Sequence, residues 1–175
     1  MRRFIAMLVL LGSVAVGAQA VPTANSAPRA GEWQDYTHPN LRFGFTYPSD
    51  VFLPDPSANL DNGLALLSAD GRARLLIGAF DNDEATSLDE YRKLILDKSY
   101  KDATFDYAPV RKSWFILSGE RNGWMFYERV HLTCEGRRIT SWAMVYPVAE
   151  RGYYDRIVER IAPTFRPSEG SAAGC

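Results

Sequence analysis

Apolar and polar positions alternate through most of the chain, which predicts strands rather than helices. Leu41, Phe43, Phe45 and Tyr47 alternate with Arg42, Gly44 and Thr46. A period of two is that of a half-buried strand, and Pro48 stops it. A shorter strand, Trp33–Thr37, precedes it across the turn His38-Pro39-Asn40. Residues 63–67 and 72–80 flank Ser68-Ala69-Asp70-Gly71, where Asp-Gly tolerates the positive φ of a tight hairpin. Three further strands form a meander over 112–118, 124–133 and 138–146. Gly119-Glu120-Arg121-Asn122-Gly123 joins the first two and Glu135-Gly136 the second two.

The period lengthens in two places. Ser87 followed by Glu90 is a capping box, and Leu88, Tyr91 and Ile95 then share one helical face. From about 148 to 161, Tyr154, Ile157, Val158 and Ile161 make an i, i+3, i+4, i+7 stripe. Pro163 follows and prevents continuation. One helix between the halves of an antiparallel sheet and another at its end predict an α+β fold. The two helices are expected to cover the faces of the sheet.

The first twenty residues have a different pattern. Met1-Arg2-Arg3 is basic, Phe4 to Gly17 is uncharged and almost wholly apolar, and Ala18-Gln19-Ala20 is an A-x-A site. That order is a secretory signal peptide. The apolar run is roughly 14 residues, short of the ~20 needed to span a bilayer. An uncleaved N-terminal anchor is the alternative. No later stretch is long enough to span, so the mature chain is expected to lack a transmembrane segment. The domain organisation is then a signal peptide over 1–20, a flexible leader over 21–31, one domain over 32–165 and a flexible tail over 166–175. The expected location is periplasmic or secreted.

Composition changes this picture only in part. The 175 residues carry 20 Lys+Arg and 21 Asp+Glu, are 46% hydrophobic and 13% aromatic, and form one ordinary domain. Removing Arg2 and Arg3 leaves 18 basic residues against 21 acids, a net charge of −3. With no basic excess, nucleic-acid binding through phosphate contacts is not expected.

The run 40–52, Asn-Leu-Arg-Phe-Gly-Phe-Thr-Tyr-Pro-Ser-Asp-Val-Phe, resembles the opening strand of PsbP-like domains, which ends in Tyr-Pro before a loop with a Phe. The Ser87-capped helix is similar as well. So is the ending, with Tyr146-Pro147, a short helix and Phe165. The resemblance covers nearly the whole folded region and implies an α-β-α sandwich around an antiparallel sheet. One member of the family assists photosystem II in ion retention, and a eukaryotic relative binds a small GTPase. No binding motif of either matches here, and fold does not imply function.

Candidate chemistry is sparse. His38 and His131 lack the close-spaced ligands of a metal site. A hydrolase with a non-motif site would use His131 with Ser118 or an acid, although no G-x-S-x-G surrounds Ser118. Asp81, Asp83 and Glu84 carry oxygen ligands for calcium, but the EF-hand spacing fails, with Thr86 and Arg92 at its sixth and twelfth positions. No phosphate-binding glycine loop occurs and no cofactor is expected. Trp114, Tyr127, Arg129, His131, Arg138 and Trp142 lie on neighbouring strands and have the composition of a binding surface. The alternative is a core of aromatics rimmed by arginines. The partner on the binding reading is an envelope protein or a small ligand.

Cys134 and Cys175 are two cysteines in a chain addressed to an oxidising compartment, which favours a disulfide between them. A reactive or intermolecular thiol at the terminus is the alternative. The sum is an exported, non-enzymatic accessory or binding domain, with a hydrolase or a calcium-responsive module as alternatives.

Overall fold

The computed structural model describes residues 31–58, 60–84, 86–168 and 175. The predicted signal peptide and all of the leader but Gly31 lie outside the described residues. A two-stranded ribbon pairs β1 (Trp33–Thr37) with β2 (Gly44–Pro48). The main sheet holds β3 (Phe52–Pro54), β4 (Gly63–Ser68), β5 (Arg74–Asp81), β6 (Thr104–Tyr107), β7 (Trp114–Arg121), β8 (Trp124–Thr133) and β9 (Arg138–Pro147). Its order is β3-β4-β5-β9-β8-β7-β6, and every pairing is antiparallel. Helix α1 (Leu88–Ser99) joins β5 to β6, and α2 (Arg151–Ile161) follows β9.

Strand alternation sorts the side chains into two cores. On one face Leu88, Tyr91 and Ile95 of α1 meet Phe115, Leu117, Phe126, Val130, Ile139 and Val145. On the other, Tyr154, Ile157, Val158 and Ile161 of α2 meet Ile77, Trp142, Met144 and Tyr146, with Phe43 and Phe45 of the ribbon beside them. Each fully buried side chain of this kind contributes about 1.5–3 kcal/mol relative to exposure. The fold is therefore α+β, with a helix on each face of an antiparallel sheet.

The capping box is formed. Glu90 N–H donates to Ser87 Oγ at 3.3 Å, and Ser87 N–H donates to Glu90 Oε2 at 2.9 Å. The second helix starts later than its periodicity predicts, because Val148–Glu150 is a 3-10 turn before α2. The pattern before Gly44 also differs. Phe43 is buried, but Arg42 has φ 60, so the strand opens only at Gly44.

The five-residue loop expected after 118 is a two-residue turn. Asn122 and Gly123 have φ 53 and 81, the paired positive angles of a type I′ hairpin. β7 consequently runs on to Arg121, and Ser118 lies inside it. The short strand β6, which no alternation announces, pairs with the extension. It lies close there because Gly119 has no side chain. A Cβ at Gly119 would stand 1.9 Å from the Thr104 carbonyl oxygen.

The chain stays packed beyond Phe165. Gly44 and Arg166 exchange backbone hydrogen bonds of 2.9 and 2.8 Å, and Ser168 is fully buried, its hydroxyl donating to the Leu41 carbonyl at 2.7 Å. Cys175 is joined to Cys134 by a disulfide across a Cα–Cα distance of 5.4 Å. The bridge ties the β8–β9 connection to the chain end over a sequence separation of 41. Chain-entropy reasoning sets an upper guide of about 4 kcal/mol for a loop of that length. Cys134→Ser with Cys175→Ser should therefore lower the chemical-denaturation stability measurably, and by no more than that. An unchanged midpoint would show that the bridge constrains little.

Candidate functional site

Strand parity brings three of the predicted residues together. Trp114 and His131 are directly paired on β7 and β8, and Arg129 is two residues from His131 on the same face. The indole of Trp114 and the imidazole of His131 stack at 6.2 Å with an interplanar angle of 20°. The Arg129 guanidinium carbon stands 5.2 Å from the Trp114 ring centroid and 5.8 Å from that of Phe165. A cation against an aromatic face is worth roughly 0.5–2 kcal/mol, depending on desolvation. Arg111, just before β7, adds a second guanidinium 5.7 Å from the Trp114 centroid. Trp114, Arg129 and His131 are half-buried, whereas Arg111 and Lys112 are exposed.

Hydrogen bonding fixes the state of His131. Arg129 Nε–H donates to His131 Nε2 at 3.0 Å, and Arg129 Nη1–H donates to the Ala162 carbonyl at 3.2 Å. An accepting Nε2 belongs to a neutral ring. Burial first, then the adjacent Arg129 charge, push the imidazole pKa down to about 4. His131 is thus a neutral acceptor, pinned between Trp114 and Phe165.

Ser118 is not brought to it. Ser118 pairs with Tyr127, four residues from His131 along the strand, which is roughly 13 Å at the usual rise. The two do not form a nucleophile–base dyad.

Other predicted residues have different surroundings. Trp142 has no exposed surface and packs against Tyr127 at 4.7 Å and Phe165 at 6.4 Å. Tyr127 is buried too. Both belong to the core under α2, so neither is available as a contact residue. Arg138 opens β9, where its Nε and Nη2 donate to Asp81 Oδ1 at 3.1 and 2.9 Å. The usable cluster is therefore Trp114, Arg129 and His131, enlarged by Arg111 and Lys112.

His38 is a local fastener. Its Nδ1 accepts from the backbone N–H groups of Asn40 and Leu41 at 3.3 and 3.1 Å, which leaves Nε2–H to donate to the Asp61 carbonyl at 3.1 Å. The ring thereby satisfies the turn between β1 and β2.

In the acidic segment at the end of β5, Asp81 and Asn82 are engaged, while Asp83 and Glu84 are exposed. Asn82 Nδ2–H donates to the carbonyls of Thr86 and Gly136 at 2.9 and 2.8 Å, and its own N–H donates to the Arg137 carbonyl at 2.7 Å. With Asp81 on Arg138, the segment joins the start of α1 to the β8–β9 connection. Among the described residues, no group of three His, Cys, Asp or Glu side chains is placed to hold a metal ion.

Sequence inspection passed over Glu128. It sits on β8 between Phe126 and Val130, on the face that α1 covers. Tyr100 O–H, at the end of α1, donates to Glu128 Oε2 at 2.6 Å. Burial pushes this carboxyl up to about 7, and the Tyr100 hydrogen bond only partly opposes it. The Tyr100 hydroxyl is pushed well above its ordinary range by burial and then by the carboxylate beside it. The signal was legible, because Glu128 occupies an inward position by the same alternation that places Phe126 and Val130. A crevice nearby, lined by Tyr100, Arg121, Trp124, Phe126 and Val145, has about 20 Å³, room for a single water.

Among the described residues, no helix is long and apolar enough to cross a membrane. No protein-family model matches the chain, and no curated protein does. Among solved structures, the solution structure of cyanobacterial PsbP from Synechocystis matches with a TM-score of 0.55 and 14% identity. The match covers 82% of this chain and 98% of that one. A crystal structure from Bacteroides thetaiotaomicron is matched with a TM-score of 0.46 and 16% identity, over 76% of this chain and 47% of that one. The seven-stranded antiparallel sheet with one helix on each face is thus a PsbP-like fold.

Proposed function

We propose that this chain is an exported, non-catalytic binding domain of the cell envelope, and that it engages a partner protein through the cluster around Trp114. The observation that carries the reading is the cluster's composition and exposure. A half-buried indole is flanked by Arg129 and Arg111, with Lys112 exposed beside them. Tryptophan and arginine at a partly exposed site are the residues that dominate binding energy at protein interfaces. The predicted signal peptide and the Cys134–Cys175 disulfide support an oxidising location outside the cytoplasm. A neutral His131 whose Nε2 is taken by Arg129, with Ser118 distant from it, supports binding over hydrolysis.

A photo-crosslinking residue placed at 112 tests the reading in cells, with position 93 on the exposed side of α1 as control. A discrete adduct is expected from 112, absent from 93 and lost when Trp114→Ala is added. The same products from both positions, or none from 112, would overturn the proposal. Fractionation of the same cells reports the location, and a product confined to the cytoplasm would remove the envelope assignment.

A further inference from the structure

Many charged side chains on this surface have a counter-ion. Arg72, Arg74, Arg138, Arg151 and Arg166 each face a carboxylate. What sets the cluster around Trp114 apart is the convergence of its cations on one ring. Arg111, Lys112 and Arg129 form no ion pair among the described residues. Two guanidinium groups nevertheless converge on one indole, at 5.7 and 5.2 Å from its centroid. Among the described residues, no carboxylate forms an ion pair with either of them.

Their donors are also only partly used. Arg129 commits Nε to His131 and Nη1 to Ala162, while Arg111 commits Nη1 to the Val110 carbonyl. Arg129 Nη2, and Nε and Nη2 of Arg111, have no partner among the described residues. An arginine fork of this kind matches the two oxygens of a carboxylate. The neutral His131 holds Arg129 in place without spending its charge, and Phe165 backs it from the core side.

Resting on the binding surface proposed above, we propose that this cluster docks an acidic segment of the partner protein, whose carboxylates supply the counter-ions that Arg111, Lys112 and Arg129 lack among the described residues. The size of the patch favours a short acidic segment over an extended polyanion. Anionic membranes are recognised by clusters of about 4–8 basic residues, and nucleic acid by many phosphate contacts. Here two guanidinium groups stand over one indole, with Lys112 exposed two residues before it, on a chain that is acidic as a whole once the first twenty residues are removed. That overall charge opposes adsorption to a large anionic surface. A few carboxylates meet the local positive field and little else.

The experiment is a titration of the protein, labelled with nitrogen-15, by a Glu/Asp-rich octapeptide and by its Gln/Asn counterpart. The Trp114 indole N–H resonance, assigned with Trp114→Phe, is the readout. The acidic peptide should shift it saturably, the amide peptide should leave it in place, and 0.5 M salt should abolish the response. Arg111→Glu with Lys112→Glu, both at exposed positions, should weaken the acidic peptide at least tenfold while the rest of the spectrum keeps its dispersion. No shift at millimolar acidic peptide, or an equal shift from the amide peptide, overturns the proposal. Binding to phosphatidylglycerol vesicles without a peptide response overturns it in favour of a membrane surface. A concentration-dependent dimer that alone perturbs Trp114 overturns it in favour of self-association. An adduct from position 112 in cells without a peptide response overturns the acidic segment and leaves the binding surface standing. Loss of that adduct removes both.

Discussion

Trp142→Ala is expected to cost about 3–5 kcal/mol of folding stability, the usual range for a large aromatic removed from a core. Trp142 is fully buried at the centre of the sheet, paired with Ile77 on β5 and Arg129 on β8. Its ring packs against Tyr127 of β8 and Phe165 beyond α2, so truncation leaves a cavity between the sheet and the segment after α2. The sheet side of that cavity is held by strands paired on both sides and cannot collapse fully into the space. The loss should appear as a lower denaturation midpoint with an unchanged slope. Trp142 is not itself exposed, so binding through Trp114 should weaken only as the folded fraction falls. A Trp142→Ala protein of unchanged midpoint that fails to form the crosslink would instead restore Trp142 as a contact residue.

Glu128→Gln is expected to raise stability above pH 7 by roughly 3 kcal/mol and to change the shape of the pH profile. In the fold, burial holds the Glu128 carboxyl near 7, whereas in the unfolded chain it titrates near 4.3. Between those values the folded state keeps a proton that the unfolded state has released. Stability therefore falls as pH rises from about 4.5 to 7 and stays lowered above. Glutamine removes the charge and still accepts from Tyr100 O–H through its carbonyl. His131 works in the opposite sense. Its folded pKa of about 4 lies below the ordinary value of about 6.5, so the unfolded chain takes up a proton first as pH falls. Stability from His131 is lost as pH drops from about 6.5 to 4.

Between about pH 4.5 and 6.5 the two slopes oppose each other, and their joint contribution is nearly flat. Glu128→Gln should uncover the His131 limb, so that stability rises with pH through this window. His131→Phe should uncover the Glu128 limb, so that stability declines there. Urea titrations of the three proteins from pH 4.5 to 8.5 make the comparison. Parallel profiles for wild type and Glu128→Gln would show that the carboxyl is not held protonated under α1.

Local chemistry made much of the fold legible. The Ser87–Glu90 box marked the start of α1 because both hydrogen bonds are made within four residues. The stripe of Tyr154, Ile157, Val158 and Ile161 marked the buried face of α2 because 3.6 residues complete a turn. The alternation in β8 sorted Tyr127, Arg129 and His131 from Phe126, Glu128 and Val130, since a strand has only two sides. Two elements were missed for want of such a signal. β6 has four exposed residues and no alternation, and exists because Gly119 lets its backbone approach β7. β3 has three residues, too few for a period to show.

The candidate site divides along the same line. Which residues share a sheet face was readable from parity, and with it the neighbourhood of Trp114, Arg129 and His131. Which part of that face is covered was not, because covering depends on where α2 and the β1–β2 ribbon pack. The same composition of Trp, Tyr and Arg serves equally for a core and for a surface. Only packing sent Trp142 and Tyr127 inward under α2 and left Trp114 at the margin with Arg111 and Lys112. The sequence by itself determined seven of the nine strands among the described residues, the start of α1, the end of α2 and the α+β class, because those follow from interactions a few residues apart. The tertiary structure decided burial, the charge state of Glu128 and His131, and the convergence of two arginines on one indole. These rest on contacts between residues distant along the chain, whose desolvation and charge exist only once the sheet and its helices have closed on one another.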